Sequence, residues 1–497
     1  MSTLSELLPA GGGGATVDFV ASGTLPNGSP VVLKADGTVE VVTDTAVVSV
    51  SQAIPTGTET QFATGEGPNT AIAFDPTTVG RFLLAFNDAS NSSYGSVILG
   101  TLSGTTLTFS TKVVFYSAYG TTLDIDFDPN RSGQFVIGYY GPSARCYSIA
   151  GMVSGTSITF GTGVIANSTG GSSLIEVKFN PNVQDQFVLC YRDTSNTEAR
   201  VGSISGTSIT YGTAVDIVSA SSNSLSLVFD PYTSNRFMVA VCDTSQSKKP
   251  YVRLATISGT SITLATSYEV YGNYCDFVNI AFDPNTANSF IVTFQDMTGT
   301  LYGLSKAGTV AANHVITLGT TTAYHSGSTS GTIMAGNPSM VGKFVVVYKD
   351  ATNAGKGTYK VGTISGTSVS YGSSIVHGSG WNALESGITF DPNHEGKFVL
   401  GYVSSGNNKA RVGQVGGSYT TTNLTSTNFV GITTEAISDT ATGSITLQGG
   451  LSTNQSSLTV GSNYYVQPDG TLATTAGTPS VVAGQAISST SLQLQGV

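Results

Sequence analysis

The stretch that decides the fold is Phe127-Asp-Pro-Asn-Arg-Ser-Gly-Gln-Phe-Val-Ile-Gly-Tyr139, because its pattern returns along the chain. The pattern is Phe-Asp-Pro, a short polar segment and an apolar run that opens on Phe. It recurs every 50 to 54 residues, at Phe74, Phe127, Phe229, Phe282 and Phe390, with degenerate copies at Phe179-Asn180-Pro181 and Gly336-Asn337-Pro338. Seven copies at a nearly constant period predict one supersecondary unit repeated seven times.

Each unit is predicted to contain four antiparallel strands. In one copy the alternation of Leu225, Leu227 and Phe229 predicts a strand that ends at the turn Asp230-Pro231. Two apolar runs follow, Phe237–Cys242 and Tyr251–Ile257. The Ser-Gly-Thr hairpin turn Ser258–Thr260 then leads into a fourth strand that begins at Ser261. Four strands in about 50 residues are typical of a propeller blade. The predicted fold class is therefore all-β, a seven-bladed β-propeller of four-stranded antiparallel blades.

The segment Thr58–Phe62 reads as a strand that has no earlier strands of its own blade. The fourth strand of the seventh blade is unclear, because a Thr-rich stretch follows Gly416-Gly417. An unpaired strand at either end would leave an open sheet edge. We therefore predict that Thr58–Phe62 pairs with the last blade and closes the ring.

The two ends of the chain resemble each other. Gly28–Val39 aligns with Gly461–Leu472 at an offset of 433, and the match continues to Ile54 against Ile487. Each copy carries Asp-Gly between apolar residues, a hairpin signal, so the ends are predicted to flank the propeller and form one small β module. The C-terminal copy is predicted to be longer, starting near Asn428. The predicted domains are an N-terminal arm (1–15), an N-terminal β segment (16–56), the propeller (57–422) and a C-terminal β module (423–497).

Composition bears on partners. The net charge is -10, and no basic cluster exceeds Lys248-Lys249, so nucleic acid is not an expected partner. No run of 18 apolar residues and no signal peptide are evident. The four cysteines show no CxxC spacing, so no metal and no cofactor are expected, and Cys190 and Cys242 read as small buried hydrophobes.

No catalytic motif is recognisable, and we predict that the protein is not an enzyme. The Phe-Asp-Pro aspartates read as turn formers, because one active site does not need seven copies. Asp124, Asp126 and Glu176, with Lys178 nearby, lie on predicted inner strands and are expected to line the central channel. Two interpretations of these carboxylates stay open: a hydrated polar channel, or a catalytic pair of the glycosidase kind.

The candidate ligand-binding residues are aromatic side chains in the loops that link one blade to the next. Rigid rings supply contact area and can stack on a sugar face. The candidates are Tyr119, Tyr274, Tyr324, His325, His377 and Trp381. The alternative is that some of these rings simply pack against the blade tops. The neighbouring loops add four candidate contacts to acidic glycans: Arg192, Lys248, Lys249 and Lys356.

The repeat from Phe127 to Thr162 resembles the repeats of large virion proteins from marine and cyanobacterial tailed phages. The C-terminal stretch is similar to the end module of tail-fibre or spike-like proteins from the same phages. That similarity lies in Asn423–Gly431, Ala436–Asp439, Gln448–Gly450, Gly461 and Tyr464–Leu472. The chain departs from the repeat pattern at Ala335-Gly336-Asn337-Pro338, where the Phe is lost.

This resemblance implies a structural protein of the virion, an exposed tail or fibre component that binds the host surface. The implied partners are other virion proteins and a host-surface glycan or receptor, with a homo-oligomer as a further expectation. Two alternatives remain: a head decoration or other purely structural virion protein, and a propeller-type polysaccharide hydrolase.

Overall fold

The structure is a computed structural model in which almost all regular structure is β. It describes residues 16–50, 54–55, 57–65, 67, 69–119, 122–167, 170–171, 174–299, 301–378, 382–415, 417–425, 428–474 and 481–495. The predicted arm, 1–15, lies outside these residues. The chain divides into two compact units, Val50–Gly417 and the combined ends, Met1–Ser49 with Ser418–Val497. No helix of the described residues is long and apolar enough to cross a membrane.

The larger unit is built from antiparallel sheets of one repeated design, here called blades 1 to 7. Blade 1 has the strands Thr70–Phe74, Arg81–Asp88, Tyr94–Ser103, Thr106–Phe109 and Val113–Tyr119, and blade 2 has Leu123–Phe127, Gln134–Gly141, Arg145–Ser154, Ser157–Phe160 and Val164–Ile165. Blade 3 has Ile175–Phe179, Gln186–Arg192, Thr197–Ser205, Ser208–Tyr211 and Val215–Val218. Blade 4 has Ser222–Phe229, Arg236–Asp243, Lys249–Ser258 and Ser261–Glu269. The first strand of each blade is the inner strand and the last is the outer strand.

Blades 5 and 6 share one long strand, Thr322–Gly336, which is outer in blade 5 and inner in blade 6. The other strands of blade 5 are Cys275–Phe282, Ser289–Asp296, Tyr302–Val310 and Ile316–Leu318. Those of blade 6 are Lys343–Asp350, Lys356–Ser365, Ser368–Tyr371 and Ile375–Gly378. Blade 7 has Asn382–Phe390, Lys397–Ser404 and Asn407–Gln414, together with Ile54–Pro55 and Thr60–Thr64. Short 3-10 turns lie at Ala89–Asn91, Pro142–Ala144, Thr244–Gln246 and Ala351–Asn353.

The blades form a closed ring. Each inner strand contacts the inner strand of the next blade, and that of blade 7 contacts that of blade 1. The outer strand of blade 7 comes from the other end of the unit, because Thr60–Thr64 pairs with Asn407–Gln414. Tyr402 and Lys409 of blade 7 also bond the Glu59 carboxylate. The predicted closure by the segment near Thr58 is therefore confirmed.

The repeated aspartates form turns, as predicted. The Asp128 carboxylate accepts a hydrogen bond from the Asn130 amide at 2.8 Å, and its second oxygen accepts one from the Asp185 amide of the next blade at 2.7 Å. The degenerate blade 6 keeps this turn, since Asn337 accepts from the Ser339 amide at 3.0 Å. One side chain thus both shapes the turn and ties neighbouring blades together.

The outer strands are interrupted in most blades, which the sequence pattern did not predict. In blades 2 and 3 the break falls at Gly161 and Gly212, where a Cβ would lie 2.1 Å from a carbonyl oxygen of the next blade's hairpin. Those oxygens belong to Thr207 and Thr260. Only glycine allows this approach, so the break is the place where adjacent blades meet at their outer edge.

The unit formed by the chain ends contains two five-stranded sheets with the same strand order. The first sheet has Thr16–Val20, Thr442–Leu447, Phe429–Thr433, Pro30–Leu33 and Val39–Val41; the second has Leu451–Ser452, Leu492–Leu494, Val481–Ala486, Asn463–Val466 and Leu472–Ala473. A further pair joins Asp44–Val50 to Gly417–Thr422.

The two sheets match at the level of register. Val31 faces Gly431 where Tyr464 faces Gly484, and a bulge follows in both. The prediction that Asn428 opens the C-terminal copy is wrong, because Phe429–Thr433 and Thr442–Leu447 complete the first sheet. In chain order, the whole propeller therefore lies between the third and fourth strands of the first of two tandem sheets.

Candidate functional site

The structure describes the side chains of four of the six predicted ligand-binding residues. Tyr119 ends the strand Val113–Tyr119, and its side chain lies outside the described residues. Trp381 is outside them altogether. Tyr324 and His377 are buried, at 0% and 2% exposure, which corrects their prediction as binding residues in loops. Tyr274 and His325 are half-buried and stay candidates.

Tyr324 and His325 lie in the continuous strand Thr322–Gly336, so the predicted loop at this position does not form. The Tyr324 hydroxyl bonds the Thr332 hydroxyl at 2.6 Å, and its ring packs on Tyr348. His325 lies 3.2 Å from the Asp350 carboxylate. Burial outweighs that carboxylate and lowers the pKa of His325. Tyr324 therefore belongs to the packing between blades 5 and 6, and His325 contacts blade 6 while its side chain stays half-buried.

His377 is a core residue of the last blades. Its ring stacks on Tyr359 and meets Tyr402 edge-on, and its carbonyl oxygen accepts a hydrogen bond from Arg411 at 2.6 Å. Burial, reinforced by the Arg411 charge, lowers the pKa of His377 to about 3. Sequence reasoning placed it in a loop because the glycine-rich segment after it hides the end of the strand Ile375–Gly378.

Tyr274 remains at the centre of a group that we call the Tyr274 site: Asn223, Lys248, Tyr274, Asp276 and Phe277. The Lys248 ammonium lies 4.8 Å from the Tyr274 ring centroid, a cation–π contact. The Asn223 amide approaches the Tyr274 hydroxyl at 3.5 Å. All five side chains are half-buried. They come from blades 4 and 5 and from the loop between them.

Asp276 and Phe277 add two unusual features to this site. Burial raises the pKa of Asp276, although the Phe277 amide donates to its carboxylate at 2.9 Å. Phe277 has a φ of 51°, a left-handed conformation that a bulky residue seldom adopts. Such strain costs of order 1–3 kcal/mol and persists only where the surroundings enforce it. It coincides with a break in pairing between Asp276 and Asn279.

The loop that carries Tyr274 is held at several points. The Cys275 amide donates to the Lys248 carbonyl at 3.0 Å, and the Met297 amide donates to the Tyr274 carbonyl at 2.9 Å. Cys275 also forms a disulfide with Cys242 of blade 4. This corrects the prediction that Cys242 is a simple buried hydrophobe, although Cys190 is a free buried thiol as predicted. The ring of Tyr274 is therefore presented by a rigid segment.

The predicted channel residues do come together. Cavities of about 410 and 280 Å³ are lined by residues of the inner strands, and both include Lys178. Lys178 lies 2.7 Å from Asp124 and 3.7 Å from Glu176. The Asp124 carboxylate accepts from the Val177 amide at 2.9 Å, and that of Asp126 accepts from the Phe179 amide at 2.7 Å. These two carboxylates thus satisfy edge amides of the neighbouring inner strand.

Blade 4 uses the same device with neutral side chains. The Ser224 hydroxyl accepts from the Val278 amide at 2.8 Å, and the Ser226 hydroxyl accepts from the Ile280 amide at 3.3 Å. The equivalence favours a structural role for Asp124 and Asp126. In both blades these side chains link neighbouring inner strands.

Glu176 provides a test by pH. Burial, and then the Asp124 charge, raises the pKa of Glu176 from 4.5 to about 8. The stabilisation from its protonated form is complete below pH 4.5 and is lost as the pH rises through 8. We expect Glu176→Gln to match the wild type at pH 5 and to be more stable by about 1–2 kcal/mol at pH 9, a value reduced for partial exposure. Thermal unfolding between pH 5 and 9 measures this.

The matched control is Glu395→Gln, since Glu395 is exposed. It should leave the pH dependence of stability unchanged. Equal pH dependence in Glu176→Gln and the wild type would contradict the role given to Glu176, and a strong loss of stability at pH 9 would show a favourable ion pair with Lys178 instead.

No protein-family model and no curated protein matches the chain. Solved structures that match include the lectin BP39L from Burkholderia pseudomallei, at 9% identity over 71% of this chain and 98% of the lectin, with a TM-score of 0.55. A Lactobacillus plantarum protein matches at 12% identity over 73% and 96%, with a TM-score of 0.47. Sqt1 of Saccharomyces cerevisiae matches at 10% identity over 71% and 98%, with a TM-score of 0.44.

The likeness to the lectin concerns the fold alone. The chain is thus an all-β protein of the β-propeller class, with antiparallel blades that close through a strand from the beginning of the ring. Sequence reasoning found Tyr274 and Lys248 but not Asn223, Asp276 or Phe277. The signal that was available is Cys275, beside Tyr274, because no other blade has a cysteine at the start of its inner strand.

Proposed function

We propose that this protein is a structural component of a tailed-phage virion, an exposed tail or fibre protein that binds the host surface without catalysing a reaction. The observation that carries the binding role is the Tyr274 site, in which a half-exposed aromatic ring, a lysine and polar side chains are held on a rigid loop. The virion context is supported by the resemblance of the repeat and of the C-terminal stretch to phage appendage proteins.

Rigidity is what favours binding at this site. An aromatic side chain on a fixed loop loses little conformational entropy when a partner docks, so more of the contact energy appears as affinity. The disulfide and the backbone hydrogen bonds around Cys275 supply that rigidity. A ring whose only task was packing would not need to remain half-exposed beside a lysine.

The hydrolase alternative has less support. Retaining and inverting glycosidases use two carboxyl groups, one free to protonate the leaving group and the other free to attack the sugar or to activate a water. Here Asp124 and Asp126 each accept a backbone amide of the next blade, and Asp124 also binds Lys178. A depolymerisation assay on host polysaccharide would reveal such an activity, and its loss in Asp124→Asn would assign it to the channel.

Binding is tested by replacing the ring. We expect Tyr274→Ala to weaken adsorption of the labelled protein to host cells at least tenfold, since aromatic anchors of binding sites contribute about 2 kcal/mol or more. The measurement is a binding isotherm on whole cells. The control is Tyr232→Ala, because Tyr232 is 50% exposed and lies in the turn after Asp230 instead.

Equal losses in the two tyrosine variants would argue against the Tyr274 site, and wild-type adsorption of both would do so as well. The location on the virion is a separate question. Gold-labelled antibodies against this chain should mark the tail or its fibres. Labelling of the head would favour the purely structural alternative of a head decoration and overturn the proposed role in attachment.

A further inference from the structure

The polar groups of the Tyr274 site include both donors and acceptors and one charge of each sign. The Lys248 ammonium and the Asn223 amide donate, and the Asp276 carboxylate accepts. The Tyr274 hydroxyl does both. A ligand that fits this set must offer donors and acceptors close together, around an apolar surface that can lie against the ring.

Several of these groups have capacity left for a ligand. Among the described residues, the Asp276 carboxylate accepts one hydrogen bond, which the Phe277 amide donates to Oδ1. Lys248 has no carboxylate within 4 Å among the described residues, and its neighbour Lys249 is the one that pairs with Glu269. Within the part of the chain that the structure describes, the Asn223 side-chain amide makes one long contact, at 3.5 Å to the Tyr274 hydroxyl. Half-buried polar groups with unused hydrogen-bonding capacity contribute most to the binding free energy when a ligand completes their hydrogen bonds.

The charges discriminate between ligand classes. An anionic ligand drawn to Lys248 would also meet Asp276, and a cationic ligand drawn to Asp276 would also meet Lys248. Bringing a like charge to a half-buried carboxylate or ammonium opposes binding. Hydroxyl groups avoid this conflict, because each one can donate to Asp276 and accept from Lys248.

From these observations, and resting on the proposed function, we infer that the Tyr274 site binds a neutral saccharide. The sugar would place its apolar C–H face against the Tyr274 ring and two neighbouring hydroxyls between Asp276 and Lys248. This differs from the sequence-based hypothesis that the basic loop residues contact acidic glycans. It makes Asp276 the residue that separates neutral from acidic sugars.

The test uses a glycan array that carries neutral hexose and hexosamine oligosaccharides beside uronic-acid and sulfated ones. The wild-type protein should bind neutral members, and the signal should persist at high salt, since uncharged ligands are not screened. Asp276→Asn should reduce that binding about tenfold or more, the typical effect of a lost hydrogen bond to a charged group. Asp216→Asn, at an exposed carboxylate of blade 3, is the matched control and should bind as the wild type does.

Binding confined to acidic glycans, with a signal that falls as salt rises, would overturn this inference and leave host attachment intact. The same holds if Asp276→Asn gains affinity for acidic glycans without losing neutral ones. If no glycan binds but whole-cell adsorption still depends on Tyr274, the inference fails and a protein receptor takes its place. If neither glycans nor cells bind, the proposed function fails too.

Discussion

Replacing Arg236 with glutamine is expected to lower the free energy of unfolding of the propeller by about 3–5 kcal/mol, the usual cost of leaving one partner of a buried ion pair alone. Arg236 lies in the second strand of blade 4, and its side chain is 4% exposed. Its Nε donates to Asp230 at 2.7 Å, and Nη2 contacts both Asp230 and Asn288 of blade 5. The Asp230 side chain is fully buried.

The loss of stability should come from the Asp230 carboxylate, which stays buried without its counter-ion, rather than from missing contacts. A matching neutral pair in another blade provides the control. Blade 3 builds the same corner from neutral groups, where Asn180 donates to Gln186 at 2.7 Å. The double variant Asp230→Asn with Arg236→Gln copies that pair into blade 4. We expect it to recover most of the stability that the single variant loses. Denaturant unfolding measures the free energy of unfolding of both variants. Equal values for the double and the single variant would contradict the role given to the buried carboxylate.

The repeat could be predicted because its signal is local. A strand, a turn with Asp-Pro and a second strand all lie within about 20 residues, so periodicity and turn chemistry fix the unit. Closure was also accessible, since Thr58–Phe62 needs a partner and only the last blade lacks a strand. The duplicated β unit was also visible in the sequence, but the sequence did not show that Phe429–Thr433 and Thr442–Leu447 complete the first sheet. The insertion of the propeller separates two parts of one sheet by almost 400 residues.

The site was harder to predict, because it depends on which side chains of different blades meet. Glycine and aromatic residues occur both at the ends of strands and in loops, so the sequence pattern does not distinguish the two. For this reason Tyr324 and His377 were predicted in loops although they lie in strands. Asp276 looked like any polar residue at the start of a strand. Its burial follows from packing against blade 4, and no pattern within blade 5 reveals that. Three of the five residues of the Tyr274 site could therefore be identified only from the three-dimensional arrangement.

Removing the disulfide between Cys242 and Cys275 is expected to destabilise the propeller by about 3–4 kcal/mol, the chain-entropy value for a loop of this length. The two residues are 33 apart and connect blade 4 to blade 5. All four cysteines are fully buried. Thiol titration of the unfolded, unreduced protein should therefore find two thiols, and titration of the native protein should find none.

The control separates the disulfide from the two free cysteines. A reductant should lower the unfolding temperature of the wild type and have no effect on Cys242→Ala with Cys275→Ala, which still contains Cys146 and Cys190. Four thiols in the unfolded, unreduced wild type would show that the bond does not form. Since Cys275 adjoins Tyr274, the double variant should also bind the host surface more weakly at a temperature where it remains folded, because the loop then loses freedom on binding that the disulfide had already removed.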